Sequence, residues 1–469
     1  MSEQMLRTWQ AAAVQGHPGA QHNLGVCYAE GRCVAQDLGR AAELFGDAAA
    51  QGLADAQYNL GMCYDRGAGV PRILERAAEL FELAATQGHR IAQFNLGLCY
   101  ATCKGVAQDL VRARELFEAA AAQGLADAQH NLGVYYDQGQ GVTQDFERAA
   151  ELFRAAAAQG HPGAQHSLAV CYAKGEGVAQ NFERAAELYG AAAAQGHSGA
   201  QHNLGVCYHQ GEGVTQDFDR AAELSRAAAA QGHSGAQYNL ALCCVEGRGV
   251  ARDLERAVEL FRAAAAQGLA VAQYNLGLCY DKGQCVAQDV DRATELFEAA
   301  AAQGLASAQY SLGMCRLGGR GVAQDFERAT RLFDAAAAQG LAAAQYILGM
   351  CFFEGKGVAQ DVTRAAKLWE AAAAQGRAGA QFSLALCYNK GEGVPQDYGR
   401  AAKLWGAAAA QGHSGAQFNL GVCYDKGEGV PQDCGRAAEL WGAAAAQGHS
   451  GAQFNLGGCY EVGQGVVQD

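Results

Sequence analysis

Twelve of the seventeen cysteines, from Cys27, Cys63 and Cys99 through Cys171 to Cys459, fall on one register of a 36-residue spacing, and twelve histidines accompany them. Thiolate and imidazole bind soft metals and attack electrophiles, so these are the first groups to test for chemistry. Their spacing supports neither role. A tetrahedral metal site needs ligands converging within about 2.3 Å of one ion. Equivalent helices of neighbouring repeats lie about 8–10 Å apart, beyond the roughly 4.4–6.8 Å Cα separation that a disulfide tolerates. A ladder of single thiols therefore reads as small buried filler. No HExxH, GxSxG, Walker or CxxC pattern occurs, and a residue repeated a dozen times is not a unique nucleophile. We assign no catalytic residue, metal or cofactor.

These residues are positioned by a repeat. The dipeptide Gln-Gly stands at residues 15, 51, 87, 123, 159, 195, 231, 267, 303, 339, 375, 411 and 447, thirteen copies without insertion or deletion. Such a period signals a solenoid, each unit burying its apolar face against its neighbours. Counted from that Gln, position 6 is Ala and position 10 is Leu in all thirteen units, and position 30 is Leu in the twelve that reach it. Positions 6, 10, 13, 14 and 17 share one helical face, as in Ala20, Leu24, Cys27 and Tyr28 before Gly31; this is helix A. Glycines at positions 17 and 19 end it, and Asp at position 23 (Asp37, Asp109, Asp145) N-caps helix B, predicted over Leu38–Ala50 in the first copy. Gly at position 2 is the C′ cap. Helix B carries an aromatic at position 31 (Phe45, Phe81, Trp369, Trp405, Trp441) and a run of alanines that permits close helix approach. The fold expected is an all-α solenoid of about thirteen 36-residue helix-turn-helix repeats. It spans residues 1–469 as one domain, with a partial leading repeat (helix B only) in 1–14 and a partial final repeat (helix A and loop) in 447–469.

The string A-Q-x-N-L-G-x-C-Y-x-x-G-x-G-V-x-Q-D-x-x-R-A-A-x-L-F/W-x-x-A-A-A-Q-G resembles the Sel-one-like repeat, a relative of the tetratricopeptide repeat, over essentially the whole chain. The resemblance implies an α/α right-handed superhelix acting as an adaptor or scaffold without catalytic activity. It also implies that positions 5, 8, 12 and 15, which line the concave peptide-holding surface in tetratricopeptide relatives, do so here. Some secreted members pair two cysteines within each repeat; the regular second cysteine is missing from this chain.

At about 100° per residue, positions 8 and 12 lie opposite the buried Ala/Leu face of helix A and ought to be polar. Position 8 is instead His22, Tyr58, Phe94, His130, His166, His202, Tyr238, Tyr274, Tyr310, Tyr346, Phe382, Phe418 and Phe454, and position 12 is aliphatic in every copy but Gly458. Two readings follow: a long aromatic-aliphatic groove rimmed at position 15 by Asp65, Asp137, His209, Asp281 and Asp425, or packing between helices A of adjoining repeats. Asn at position 9 (Asn23, Asn59, Asn95, Asn131, Asn203) serves a bound peptide in the first reading and a neighbouring repeat in the second.

Seven histidines occupy position 3 (His17, His89, His161, His197, His233, His413, His449), where Leu serves in other copies, and read as packing groups. His130, His166 and His202 stand in successive units, and a cationic strip there below about pH 6.5 is expected if they titrate normally. Arg at position 26 recurs in all twelve helix B copies (Arg40, Arg76, Arg112 to Arg436), with acids nearby that make an ion-pair seam; an anion-binding ladder is the alternative. Arg316 and Cys244 interrupt the Tyr of position 14, and a charged core slot needs solvent or a carboxylate, so repeats seven to nine are expected to hold a weak point. Ile73 stands where the capping Asp should be.

The net charge of −13 disfavours nucleic acid and anionic membrane, and no apolar run nears the roughly 20 residues of a membrane span. With no signal-like start and lone thiols, the expected compartment is the cytosol. The chain opens on a helix B with Trp9 at position 31 and closes on Asp469, an N-cap position, so a longer array or end-to-end self-association is expected. Function narrows to an interaction scaffold holding an extended peptide or partner protein on the ring-lined face, against a passive spacer or a duplicated or designed array without a dedicated ligand.

Overall fold

Each local signal in the repeat finds its partner in space. A computed structural model of the chain describes residues 3–466, among which there are 26 helices and no strand. The N-cap expected at Asp469 lies outside the described residues. Packing divides the chain into two compact units, Met1–His233 and Ser234–Asp469, each an all-α solenoid of thirteen helices. Repeats are numbered below from their Gln, repeat 1 beginning at residue 15 and repeat 13 at residue 447.

Helix A occupies positions 4–16, as in Pro18–Glu30, and helix B positions 24–36, as in Leu38–Ala50. The position-23 carboxylate accepts from the backbone N–H three residues on, Asp37 from Arg40 at 2.9 Å. Ile73 holds the same extended conformation with no side-chain bond. The position-3 histidines prove to be caps: Nδ1 of His89 accepts from Ala92 N–H at 3.0 Å and His197 from Ala200 at 3.1 Å, satisfying a donor that helix geometry leaves orphaned. Gly at position 17 closes helix A in the left-handed region, its N–H returning to the position-13 carbonyl. Gln at position 22 then reaches back to the position-15 carbonyl, Gln36 to Ala29 at 2.8 Å and Gln432 to Asp425 at 2.6 Å.

The core of each hairpin is small residues around one ring. Ala at positions 6, 27 and 34 is buried in repeat after repeat, with Leu at 10 and Cys at 13 against the position-31 aromatic. Glycine at position 11 lets that ring lie on the backbone of helix A: a Cβ on Gly25 or Gly61 would stand 2.7–2.8 Å from the edge of Phe45 or Phe81. Consecutive repeats are tied by glutamines. The position-7 amide donates to the position-35 carbonyl of the preceding helix B, as Gln381 to Ala373 at 3.3 Å, and accepts from the next position-1 Gln, Gln411 at 2.9 Å. That relay recurs along both units.

Candidate functional site

Helix A presents positions 5, 8 and 12 on the side away from helix B's alanines. Every described position-8 ring is half-buried except Phe454, over which the described residues place no further side chain and which is 83 % exposed. Two contacts account for the partial burial. Within its own repeat the ring tilts against the position-31 aromatic, with centroids 5.7–6.0 Å apart from His22–Phe45 to Tyr310–Phe333. From the following repeat, the position-3 side chain stacks on it: His161 on His130 at 4.8 Å, His197 on His166 at 4.8 Å, His413 on Phe382 at 4.6 Å. On the ring of repeat 10 it is the guanidinium of Arg377, from repeat 11, that sits 5.1 Å from the Tyr346 ring centre. Part of each ring therefore belongs to the joint between repeats and part faces solvent. The aliphatic row at position 12 is half-buried in the same way, with Met314 38 % exposed and Met62 accepting from the Asn95 amide of the next repeat at 3.5 Å.

Asparagine at position 9 works between repeats. Asn59 meets Nε2 of His22 at 2.8 Å and Asn203 meets Nε2 of His166 at 3.1 Å. The acids at position 5 join in, His89 lying 3.3 Å from Asp55 and His161 3.2 Å from Asp127. Burial sets the electrostatics of the histidine stretch. Desolvation, reinforced by the neighbouring imidazole of His161, holds His130 down at about 4, and the same burial holds His166 and His202 at about 4. The cationic strip expected below pH 6.5 is thus corrected: stacked and half-buried imidazoles stay neutral until far more acid conditions. His202 lacks a ring partner in its own repeat, where Ser225 fills position 31, and its buried Nδ1 has no hydrogen bond.

All seventeen cysteines are thiols, and those of position 13 are buried or half-buried. Burial pushes Cys99, Cys171, Cys387 and Cys423 up to about 11, away from the thiolate needed for nucleophilic or metal chemistry. Among the described residues no three of His, Cys, Asp and Glu converge as metal ligands, and no helix is long and apolar enough to cross a membrane. The position-26 arginines make the ion-pair seam over much of the chain, Arg40–Glu43 at 2.7 Å and Arg256–Glu259 at 2.7 Å among them. Arg316 finds the carboxylate its slot requires, Glu298 at 2.5 Å. What the sequence reading missed is the glutamine relay, although Gln at position 7 of all thirteen copies, inside an apolar stretch, was its visible trace.

The Sel1 repeat matches thirteen successive segments, from 18–53 through to 450–469, leaving only residue 377 out of that run. Among solved structures, c5321 of uropathogenic Escherichia coli, described as a protective antigen displaying an SLR fold, shares 34% identity over 89% of each chain, with a TM-score of 0.74. A Sel1 repeat protein from Oxalobacter formigenes shares 31% identity over 64% of this chain and 87% of its own, with a TM-score of 0.47. No curated protein matches the chain.

Proposed function

The chain belongs to the Sel1 repeat family, and from that premise we propose that it is a non-catalytic protein–protein interaction scaffold that holds an extended segment of a partner along positions 5, 8, 12 and 15 of helix A. One observation carries the reading: a register of rings, half-buried in all but the last copy and flanked by partly exposed aliphatic side chains, that is repeated through both units and that the A/B hairpin covers only in part. Rigid rings held on two sides offer apolar contact at little entropic cost, which suits a recognition surface. Variation at position 8 among His, Tyr and Phe alone gives each stretch its own chemistry. The thiol inventory fits a reducing compartment, and we place the scaffold in the cytosol.

A passive spacer is the competing reading, favoured by the stacking of position-3 side chains on the rings, since packing alone would keep aromatics there. The two are separated at position 12, whose side chains are partly exposed beside the rings. A photo-crosslinking residue at position 314 should trap a discrete partner from lysate, and L278R/M314R/M350R should abolish binding of that partner with the helical content and melting curve retained. Crosslinks to no defined protein, or undiminished binding by the arginine variant, count for the spacer.

A further inference from the structure

Helix B carries a charge pattern that breaks in one place. Position 29 is Glu in nine of twelve copies, and in six of these it pairs with the position-26 arginine one turn before it. In three consecutive repeats of the second unit it is Arg331, Lys367 and Lys403. Together with Arg328, Arg364 and Arg400 these form an exposed basic strip in a chain whose net charge is −13. The acids left beside it are few: Glu327 lies 3.5 Å from Arg331, Asp334 3.2 Å from Arg364 and Asp397 3.6 Å from Arg400, while Lys367 and Lys403 pair with no carboxylate among the described residues.

The strip also has relief. Between the helices B of repeats 8 and 9 lies a cavity of about 370 Å³, walled by Leu312 and Leu332 and carrying Arg316, Arg328 and Arg331 against the single carboxylate of Glu298. Two repeats on, a cavity of about 360 Å³ is walled by Leu384 and Leu404, with Arg400, Lys403 and the Tyr388 ring opposite Glu370. The equivalent cavity of repeat 6, about 280 Å³, carries Glu223 where these carry Arg331 and Lys403. The same groove thus recurs in neutralised form and, in repeats 9 and 11, with a net positive charge.

We infer that the helix-B face of repeats 9 to 11 is a docking strip for an acidic peptide segment of a partner protein, bound extended with a carboxylate at about every third residue. The spacing follows from the stack: repeats advance by about 10 Å, and an extended chain rises roughly 3.3 Å per residue. Apolar walls accept the side chains between the carboxylates, and Glu298 and Glu370 disfavour a polyanion charged at every unit. This surface is distinct from the helix-A row, so either can fail without the other.

The test is fluorescence anisotropy of a fluorescein-labelled Gly-Ser-Glu triplet peptide on the full chain. Binding should be lost with a Gly-Ser-Gln peptide and weaken with added salt. The variant R331E/K367E/K403E should weaken it by roughly tenfold or more. That variant installs the residue nine other repeats already use at this position, and an unchanged melting curve verifies its fold. Equal binding of the Glu and Gln peptides, undiminished binding by the triple variant, or tighter binding of an oligothymidylate than of the peptide would overturn the assignment.

Discussion

Trp369 and Trp441 donate their indole N–H to the carbonyls of Tyr346 and Phe418, 3.1 and 3.2 Å away, across Gly349 and Gly421. Trp405 stands at the same register opposite Ala385, and its buried N–H has no acceptor. A Cβ at Gly349 or Gly421 would lie 2.5 Å from the indole nitrogen, so the Ala385 methyl occupies the path of the bond. We expect W369F to cost about 1–2 kcal/mol more than W405F, because both lose the same ring volume while W369F also loses a hydrogen bond and W405F removes an unsatisfied donor; urea midpoints of the two variants check this. At Ile73 the backbone already has the N-cap conformation without the cap. I73D should therefore stabilise by about 1 kcal/mol in the same assay. The second prediction was legible in the sequence, where Ile73 breaks a column of Asp and Asn. The first was not, because it depends on how closely two helices approach.

At the scale of helices, the ends were readable and the joints were not. Predicted bounds of Leu38–Ala50 and a stop at Gly31 are those observed, since caps are chosen by residues within one turn. The joints depend on partners some thirty residues away. Gln381 is the instructive case: it is buried, its amide N–H satisfies Ala373 and its oxygen accepts from Gln411. Q381A should cost about 1–2 kcal/mol by removing two hydrogen bonds at a buried position, Ala373 keeping the Gly376 N–H and Gln411 keeping the Ala407 carbonyl, whereas Q411A, at an exposed position, should cost about 1 kcal/mol or less. Hydrogen exchange of repeats 10 and 11 in each variant reads the difference. A double variant costing no more than Q381A alone would show that the two amides act as one relay. The ring row belongs to this scale too. Its periodicity was plain in the sequence, but its division between stacking and solvent was set by what stands at position 3 of the next repeat, which periodicity does not reveal.

The whole molecule differs from end to end in how it meets acid. Repeats 4 to 6, in the first unit, place His130, His166 and His202 at position 8, while repeats 11 and 12, in the second, place Phe382 and Phe418 there. Burial holds the three folded imidazoles at about 4, below the ordinary value near 6.5 that they regain on unfolding. The unfolded chain therefore binds more protons between those two values, so their contribution to stability is full above pH 6.5 and is lost as pH falls toward 4. Because each ring is only half-buried, the loss is on the order of 1–2 kcal/mol per histidine rather than the full value of the shift. In a repeat array such losses act locally, because each repeat is held chiefly by its neighbours. Deuterium exchange corrected for intrinsic rates should accordingly show residues 126–230 losing protection between pH 7 and pH 5 while residues 378–446 keep theirs. Replacing the histidines in H130F/H166F/H202F should remove the asymmetry, since Phe serves at that register elsewhere in the chain. Equal loss of protection in both stretches, or an asymmetry undiminished in the triple variant, would place the acid response outside the position-8 imidazoles, as at His197 and His233, which burial also holds below the ordinary value.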